Sequence, residues 1–157
     1  MLMEQVNIRQ TLENCEFFKG LEQSHIAKIA GLCQLKAYDS GDAIFRQGDL
    51  GEHIYIIADG RVVLQRAVDL GARKGSVTLD VLGNGRALGC WSTLLDEPHK
   101  LMSTAVCQKP STLLVVRGSD LRQMMLMNKE LGFKLMENFC FLLRGRIQAA
   151  YGAMERI

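Results

Sequence analysis

Residues 38–62 read YDSGDAIFRQGDLGEHIYIIADGRV, and this stretch decides the fold class. Apolar runs at 43–46 and 53–58 alternate within it with short polar segments rich in glycine and aspartate. Its turn signals are Ser40-Gly41, Gly48-Asp49 and Asp59-Gly60. Glycine and aspartate accept the tight backbone conformations of turns, so this texture is typical of antiparallel β-structure. Asp59-Gly60, between two strong β runs, predicts a two-residue hairpin.

The same texture extends over residues 32–118. Turn signals recur there at intervals of about 8 to 12 residues, the spacing of an all-β sandwich or barrel. Seven runs are predicted as strands: Cys33–Tyr38, Ala43–Arg46, His53–Ala58, Arg61–Val68, Ser76–Leu82, Ser103–Gln108 and Thr112–Arg117. The middle of the chain is therefore predicted to be mainly β.

Both flanks of this region have a helical pattern. From Met3 to about Gly31 the apolar residues follow helical spacing, and Ser24 is predicted to cap a short helix there. After the β region, Ser119-Asp120 is predicted to cap a helix over Leu121–Met127. A longer helix is predicted from about Lys129 to Ala153.

The long helix carries two apolar stripes. The first contains Leu131, Leu135, Phe139, Leu142, Ala149 and Ala153 and is interrupted by Arg146; the second contains Met136, Cys140, Leu143, Ile147 and Met154. A helix that is apolar on two faces must bury both. One face can cover the β-structure and the other needs a partner, so a homodimer is predicted. The residues assigned to the dimer helix are Leu135, Phe139, Leu142, Arg146 and Ala149.

Composition limits the classes of function. The chain has 157 residues, a length that suits one globular domain. Its formal charge is only +2, so no basic nucleic-acid-binding stripe is predicted. Its five cysteines are odd in number and widely spaced, which argues against a disulfide framework and for a reducing compartment. Neither a signal peptide nor a membrane span is predicted, so the expected location is the cytoplasm.

The order of helix, turn-rich β-roll and two helices resembles the cyclic-nucleotide-binding domain family. Three strings carry the resemblance: residues 16–21 (EFFKGL), 38–49 (YDSGDAIFRQGD) and 54–62 (IYIIADGRV). The resemblance implies a double-stranded β-helix, or jelly roll, with N-terminal helices over 1–31, a β-roll over 32–118 and two C-terminal helices over 119–157. It further implies a single regulatory domain over 1–157 that is not an enzyme.

The family's phosphate-binding cassette is a strand end followed by Gly-Glu, a short helix and an arginine. The matching stretch, residues 86–106, reads RALGCWSTLLDEPHKLMSTAV. Gly89 is retained, whereas Cys90 stands at the position of the carboxylate that binds ribose. The arginine position falls on Leu101, or on Met102 if the loop shifts by one residue. Both charged anchors of the cassette are thus absent.

The predicted ligand is a cyclic nucleotide (cAMP or cGMP) or another small anion. The predicted ligand-binding residues are Gly89, Cys90, Trp91, Ser92, Thr93, Lys100, Ser103 and Thr104. The hydroxyl groups in this set suit helix capping and strand-edge solvation equally well. Trp91 suits either stacking on a ligand or filling the cavity.

Two alternatives remain open from the sequence. Loss of both anchors suits a degenerate domain retained as a protein–protein interaction scaffold. Cys90 with His99 permits haem binding or redox sensing, as in some relatives of this fold. Catalysis is not predicted, because no nucleophile–base pair or metal-ligand cluster stands out. The sequence stops at Ile157 without a helix-turn-helix, so no direct nucleic-acid contact is expected, and none with a membrane.

Overall fold

A computed structural model of the chain describes residues 6–97 and 99–156. The predicted start of the helical pattern at Met3, Pro98 within the cassette, and Ile157 lie outside these residues. The helices are α1 (Ile8–Glu13), α2 (Gln23–Leu32), a 3₁₀ helix (Trp91–Leu95), α3 (Gly118–Met127) and α4 (Lys129–Met154). The strands are β1 (Gln34–Tyr38), β2 (Ala43–Phe45), β3 (His53–Asp59), β4 (Val62–Asp69), β5 (Lys74–Leu82), β6 (Ala87–Gly89), β7 (Thr104–Cys107) and β8 (Ser111–Arg117).

The strands form two four-stranded sheets, and every pairing is antiparallel. One sheet has the order β1-β8-β3-β6 and the other has the order β2-β7-β4-β5. Apolar side chains from both sheets form a shared core, among them Ile57, Leu82 and Leu113, which are fully buried. The prediction of a mainly β jelly roll with flanking helices is confirmed.

A second core lies between the first sheet and the helices. Ile54 and Ile56 of β3 contribute to it from the sheet, and Phe17 and Phe18 from the segment after α1. Leu131, Leu135 and Leu142 of α4 are buried in the same cluster. Because side chains alternate along a strand, β3 feeds Ile54 and Ile56 to this core and Ile57 to the core between the sheets.

The predicted hairpin at Asp59-Gly60 is wrong. β3 pairs with β6 and β8, whereas β4 pairs with β5 and β7, so the turn carries the chain from one sheet to the other. The glycine is required for a different reason: a Cβ at Gly60 would overlap the side chain of Ser111. The Gly60 N–H donates to Asn84 Oδ1 at 2.8 Å, which fixes the crossing.

The segment 38–49, which carries part of the resemblance, is also a crossing between sheets. β1 pairs with β8 in one sheet, and β2 pairs with β7 in the other. Gly41 has φ +90°, and its N–H donates to the Cys107 carbonyl oxygen at 2.8 Å. The positive φ favours glycine, as expected for a turn of this kind.

Two predicted helix caps are also wrong. α2 begins at Gln23, so Ser24 lies inside the helix, and α3 begins at Gly118, so Ser119-Asp120 forms its first turn. Neither helix has a side-chain cap on its N-cap residue. α4 does have one, since Asn128 Oδ1 accepts from the Leu131 N–H at 3.1 Å.

Candidate functional site

A cleft of about 370 Å³ lies between the roll and α4. The roll contributes mainly apolar side chains to its wall: Phe45, Leu64, Leu79, Leu88, Leu101 and Met102. α4 contributes Leu142, Leu143, Arg146, Ile147 and Ala150. Polar groups reach it from Asp80, Ser103 and Arg146. An apolar cleft of this size with a few polar groups is typical of small-molecule sites.

A smaller hollow of about 170 Å³ lies beside the 3₁₀ helix. Glu52, Asp96, Glu97 and Arg117 are among its lining residues. This hollow has three carboxylates in its wall, and α4 does not border it. The larger cleft is therefore the better candidate for a ligand site.

Three of the predicted ligand-binding residues line the cleft: Gly89, Trp91 and Ser103. Gly89 ends β6 with φ +140°, where it passes close to β3. A Cβ at this position would overlap the carbonyl oxygen of His53 and lie 3.0 Å from Ile54 Cα. The retained glycine thus has a structural reason that is independent of any ligand.

Cys90 and Leu101 occupy the anchor positions as core residues. Cys90 is 5% exposed and Leu101 is 8% exposed, and both belong to the core between the sheets. The thiol of Cys90 lies 3.5 Å from the His99 carbonyl oxygen. The two charges that would hold a cyclic phosphate and a ribose are replaced by apolar packing.

The remaining predicted residues lie elsewhere or have protein partners. Thr93 Oγ1 donates to the Cys90 carbonyl oxygen at 2.8 Å, and Thr104 Oγ1 accepts from the Gln47 N–H at 2.9 Å. Lys100 is exposed, forms a β-bridge with Leu50, and does not line the cleft, nor does Ser92. The hydroxyl groups of Thr93 and Thr104 thus bond to backbone groups of the protein itself, and neither caps a helix.

The backbone N–H groups at the start of the 3₁₀ helix are also partly used. The Cys90 N–H donates to the His53 carbonyl oxygen at 3.1 Å, and the Thr93 N–H donates to the Cys90 carbonyl oxygen at 3.3 Å. The family's cassette would present such groups to a phosphate. This segment therefore has few donors left for an anion.

Trp91 lies between two phenylalanines. Its ring centroid is 5.3 Å from that of Phe17, edge to face, and 4.9 Å from that of Phe139 on α4. It also forms part of the cleft wall. The indole therefore fills the space between the roll and α4, and its surroundings depend on how α4 packs.

An ion-pair network lies at one end of the cleft. Glu16 Oε2 accepts from Arg86 Nε at 3.0 Å, from the Ala87 N–H at 2.8 Å and from Arg146 Nη2 at 3.2 Å. Asp80 Oδ2 lies 3.7 Å from Arg86 Nη2 and 4.0 Å from Arg146 Nη1. We call Glu16, Asp80, Arg86 and Arg146 the arginine network. It joins α4 to the roll and to the segment after α1.

Arg146 is the most buried member of the arginine network, with a side chain 14% exposed. Its Nη2 also donates to the Ala87 carbonyl oxygen. Its Nη1 is buried and has no hydrogen-bond partner among residues 6–97 and 99–156. Burial lowers the pKa of Arg146, against the opposing effect of Glu16. The sequence did carry a signal for this residue, since an arginine interrupts an apolar stripe.

The dimer-helix assignment needs correction. Leu135 and Leu142 are buried in the core of the same chain, and Phe139 packs partly against it. Arg146 points into the arginine network, so the first stripe of α4 covers the roll. Large apolar side chains exposed on α4 are Phe133, Phe141, Leu143, Ile147, Tyr151 and Met154. Three of them, Leu143, Ile147 and Met154, belong to the second stripe, and the other three belong to neither stripe.

Burial raises the pKa of two thiols near the N-terminal helices, Cys15 and Cys33, to about 12. Such thiols stay protonated and unreactive at neutral pH. Cys140 on α4 is exposed.

No group of three or more His, Cys, Asp or Glu side chains suited to a metal occurs in the described part of the chain. Over the same residues, no helix is long and apolar enough to cross a membrane.

Comparison with known proteins gives concordant matches. The family model described as the cyclic nucleotide-binding domain matches residues 35–128. A curated relative, the cyclic AMP receptor protein of Thermus thermophilus, is 33% identical over 106 residues, which are 68% of this chain. The chain spans 47% of that relative's length.

Two solved structures are similar over most of the chain. The catabolite activator protein of Thermus thermophilus has a TM-score of 0.68 and 31% identity, over 89% of this chain and 62% of that one. A cyclic nucleotide-binding domain from Methylobacillus flagellatus has a TM-score of 0.76 over 92% of this chain and 79% of that one. Its identity of 20% supports the fold alone.

Proposed function

The chain belongs to the cyclic nucleotide-binding domain family, and from this premise we propose that it is a non-catalytic regulatory module that senses a small ligand. The ligand occupies the cleft between the roll and α4, and α4 carries the response. The cAMP and cGMP of the sequence prediction remain the first ligands to test. We expect the module in the cytoplasm, where its five free thiols stay reduced.

The observation that carries the proposal is the composition of the cleft wall. Leu88 and Leu101 belong to the roll, whereas Leu142, Arg146 and Ala150 belong to α4. A ligand in the cleft must therefore contact both parts. A ligand shifts a conformational equilibrium when its affinity differs between the two states. Any ligand that prefers α4 packed on the roll will stabilise that arrangement.

Cyclic nucleotides are expected to bind this cleft weakly. Losing one partner of a buried charge pair typically costs about 2–5 kcal/mol, and both anchor positions here are apolar. Dissociation constants for cAMP and cGMP are therefore expected above about 100 μM.

Fluorescence of Trp91, the one tryptophan of the sequence, tests the proposal because the indole lines the cleft. Titration with cAMP and with cGMP to millimolar concentrations should give a saturable change that Ala150→Phe abolishes by filling the cleft. A change that persists in Ala150→Phe would place the ligand elsewhere and contradict the proposal.

A second candidate function is a protein-interaction scaffold that no longer takes a ligand. The exposed apolar side chains of α4 favour it, because a contiguous apolar patch marks an interaction surface. The occupant proposed is a second copy of the chain, so that two α4 helices pair. This contact would use the exposed side chains of Phe133, Phe141 and Tyr151.

The dimer has a direct test. Light scattering at tens of micromolar should give twice the mass of one chain, and Phe141→Glu should give the monomer because it places a charge in the apolar contact. Gln108→Glu, an exposed polar position in the turn between β7 and β8, serves as the control and should remain dimeric. A monomeric wild-type chain at these concentrations would rule out the pairing.

The haem alternative has less support. Cys90 is buried in the roll core, and the His99 ring Nδ1 lies 2.8 Å from the Lys100 carbonyl oxygen, with the side chain exposed. A buried cysteine in this setting behaves as a small apolar residue.

A further inference from the structure

We propose that Arg146 is the polar anchor of the cleft and that its ligand is a small monocarboxylate with an apolar body. This inference rests on the proposed ligand-sensing function and names its ligand class. The anchor comes from α4, whereas the family's cassette lies in the roll. One residue would then hold both the ligand and the helix that responds to it.

The first argument is the unpartnered Nη1 of Arg146. Buried polar groups in native proteins nearly always have a hydrogen-bond partner. Nη1 has none among the described residues, and the nearest carboxylate oxygen, Asp80 Oδ2, lies 4.0 Å away. Arg146 forms part of the cleft wall, but Nη1 itself is buried, so an acceptor bound in the cleft would meet it after the guanidinium turns towards the ligand.

The second argument is the charge balance around Arg146. Arg86 shares both carboxylate neighbours of Arg146 and lies closer to each of them. Glu16 Oε2 is 3.0 Å from Arg86 Nε and 3.2 Å from Arg146 Nη2. Asp80 Oδ2 is 3.7 Å from Arg86 Nη2 and 4.0 Å from Arg146 Nη1. The network is formally neutral, with two arginines and two carboxylates, so neither carboxylate belongs to Arg146 alone. A carboxylate bound in the cleft would give Arg146 an acceptor of its own, since arginine forms strong charge-assisted hydrogen bonds with such groups.

The third argument concerns how many negative charges the bound ligand carries. Glu16 and Asp80 already place two negative charges near Arg146, and a phosphate monoester would add close to two more, whereas a carboxylate, like the cyclic phosphodiester of cAMP, adds one. Repulsion between like charges grows as water is excluded, so a single negative charge suits this site better.

The rest of the cleft indicates the body of the ligand. The roll lines the cleft with apolar side chains, those of Phe45, Leu64, Leu88 and Leu101, and α4 lines it with those of Leu142 and Ile147. Ser103 adds one hydroxyl group to the lining. A chain or ring of carbon atoms fits this wall, and burying it supplies the affinity that one charged contact alone would lack.

The test uses octanoate and cyclohexanecarboxylate as probes, with octanamide as the uncharged match, and Trp91 fluorescence as the readout. We expect a saturable change with the carboxylates and at least tenfold weaker binding of octanamide. Arg146→Met should weaken carboxylate binding at least tenfold while leaving octanamide affinity unchanged. Arg144→Met, an exposed arginine on the same helix, should bind like the wild type.

Loss of the arginine network could unfold the chain, so Arg146→Lys is the second variant, with its fold checked by thermal melting. It keeps the charge but not the planar pair of donors, and it should also bind carboxylates more weakly. Equal carboxylate affinity in wild type and both Arg146 variants would overturn the inference. If carboxylates give no change in Trp91 fluorescence while cAMP or octanamide gives a saturable one, the sensing function is supported and the anchor role of Arg146 is contradicted. If no probe gives a response that Ala150→Phe abolishes, both fall.

Discussion

Substituting Gly89 with alanine is expected to lower the free energy of unfolding by about 4 kcal/mol or more. The residue has φ +140°, a conformation that side-chain-bearing residues resist. An added Cβ would overlap the His53 carbonyl oxygen, which belongs to β3 and cannot move without breaking the β3–β6 pairing. Because the backbone strain and the overlap act together, the free energy of unfolding should fall by more than it does for an ordinary surface substitution.

Urea unfolding of Gly89→Ala checks this expectation. Gly83→Ala is the matched control, because a Cβ there meets nothing within 4 Å and the backbone has no positive φ. Its free energy of unfolding should lie within about 0.5 kcal/mol of the wild-type value. Equal stability of the two variants would mean that β6 does not approach β3 as closely as described.

Substituting Leu101 with arginine is expected to tighten cAMP binding by about 30-fold or more. Leu101 stands at the cassette's arginine position and lines the cleft, so a guanidinium there can pair with the cyclic phosphate. Restoring one partner of a buried charge pair strengthens binding by about 2 kcal/mol or more, and 2 kcal/mol corresponds to a gain in affinity of about 30-fold. Free of ligand, the variant should be less stable than the wild type, because Leu101 is only 8% exposed.

Calorimetric titration of the variant with cAMP measures the gain. Met102→Arg, at the adjacent position, is the comparison: this residue also lines the cleft but is 67% exposed, so its charge would remain largely solvated. We expect little change in affinity for it. A gain with Met102→Arg and none with Leu101→Arg would show that the cassette is shifted by one residue. No gain with either would show that the absent arginine is not what limits binding.

The strands could be predicted from the sequence because their signals are local. Apolar runs and turn residues located seven strands within about two residues of their bounds. β6 was missed because it has only three residues and no alternation to reveal it. Strand pairing could not be read in the same way. Asp59-Gly60 has hairpin chemistry, but the two strands that it joins do not pair: β3 pairs with β6 and β8, and β4 pairs with β5 and β7.

The candidate site was predicted only in part, for a related reason. Gly89, Trp91 and Ser103 line the cleft as residues of the cassette segment, which the resemblance could locate. The opposite wall comes from α4, and its rotation about its axis depends on how it packs on β-strands far away in sequence. Two apolar stripes left that rotation undecided. Arg146 shows the consequence: its interruption of a stripe was visible, but its contacts with Glu16 and Asp80 required the fold.

Amide hydrogen exchange along α4 tests most directly whether this helix responds to occupancy of the cleft. The measurement compares residues 142–150 with and without ligand, using octanoate on the wild type and cAMP on Leu101→Arg. We predict slower exchange in this segment with bound ligand, because a ligand that contacts both walls opposes local opening of the helix. Slower exchange confined to the roll, with α4 unchanged at saturation, would contradict the account.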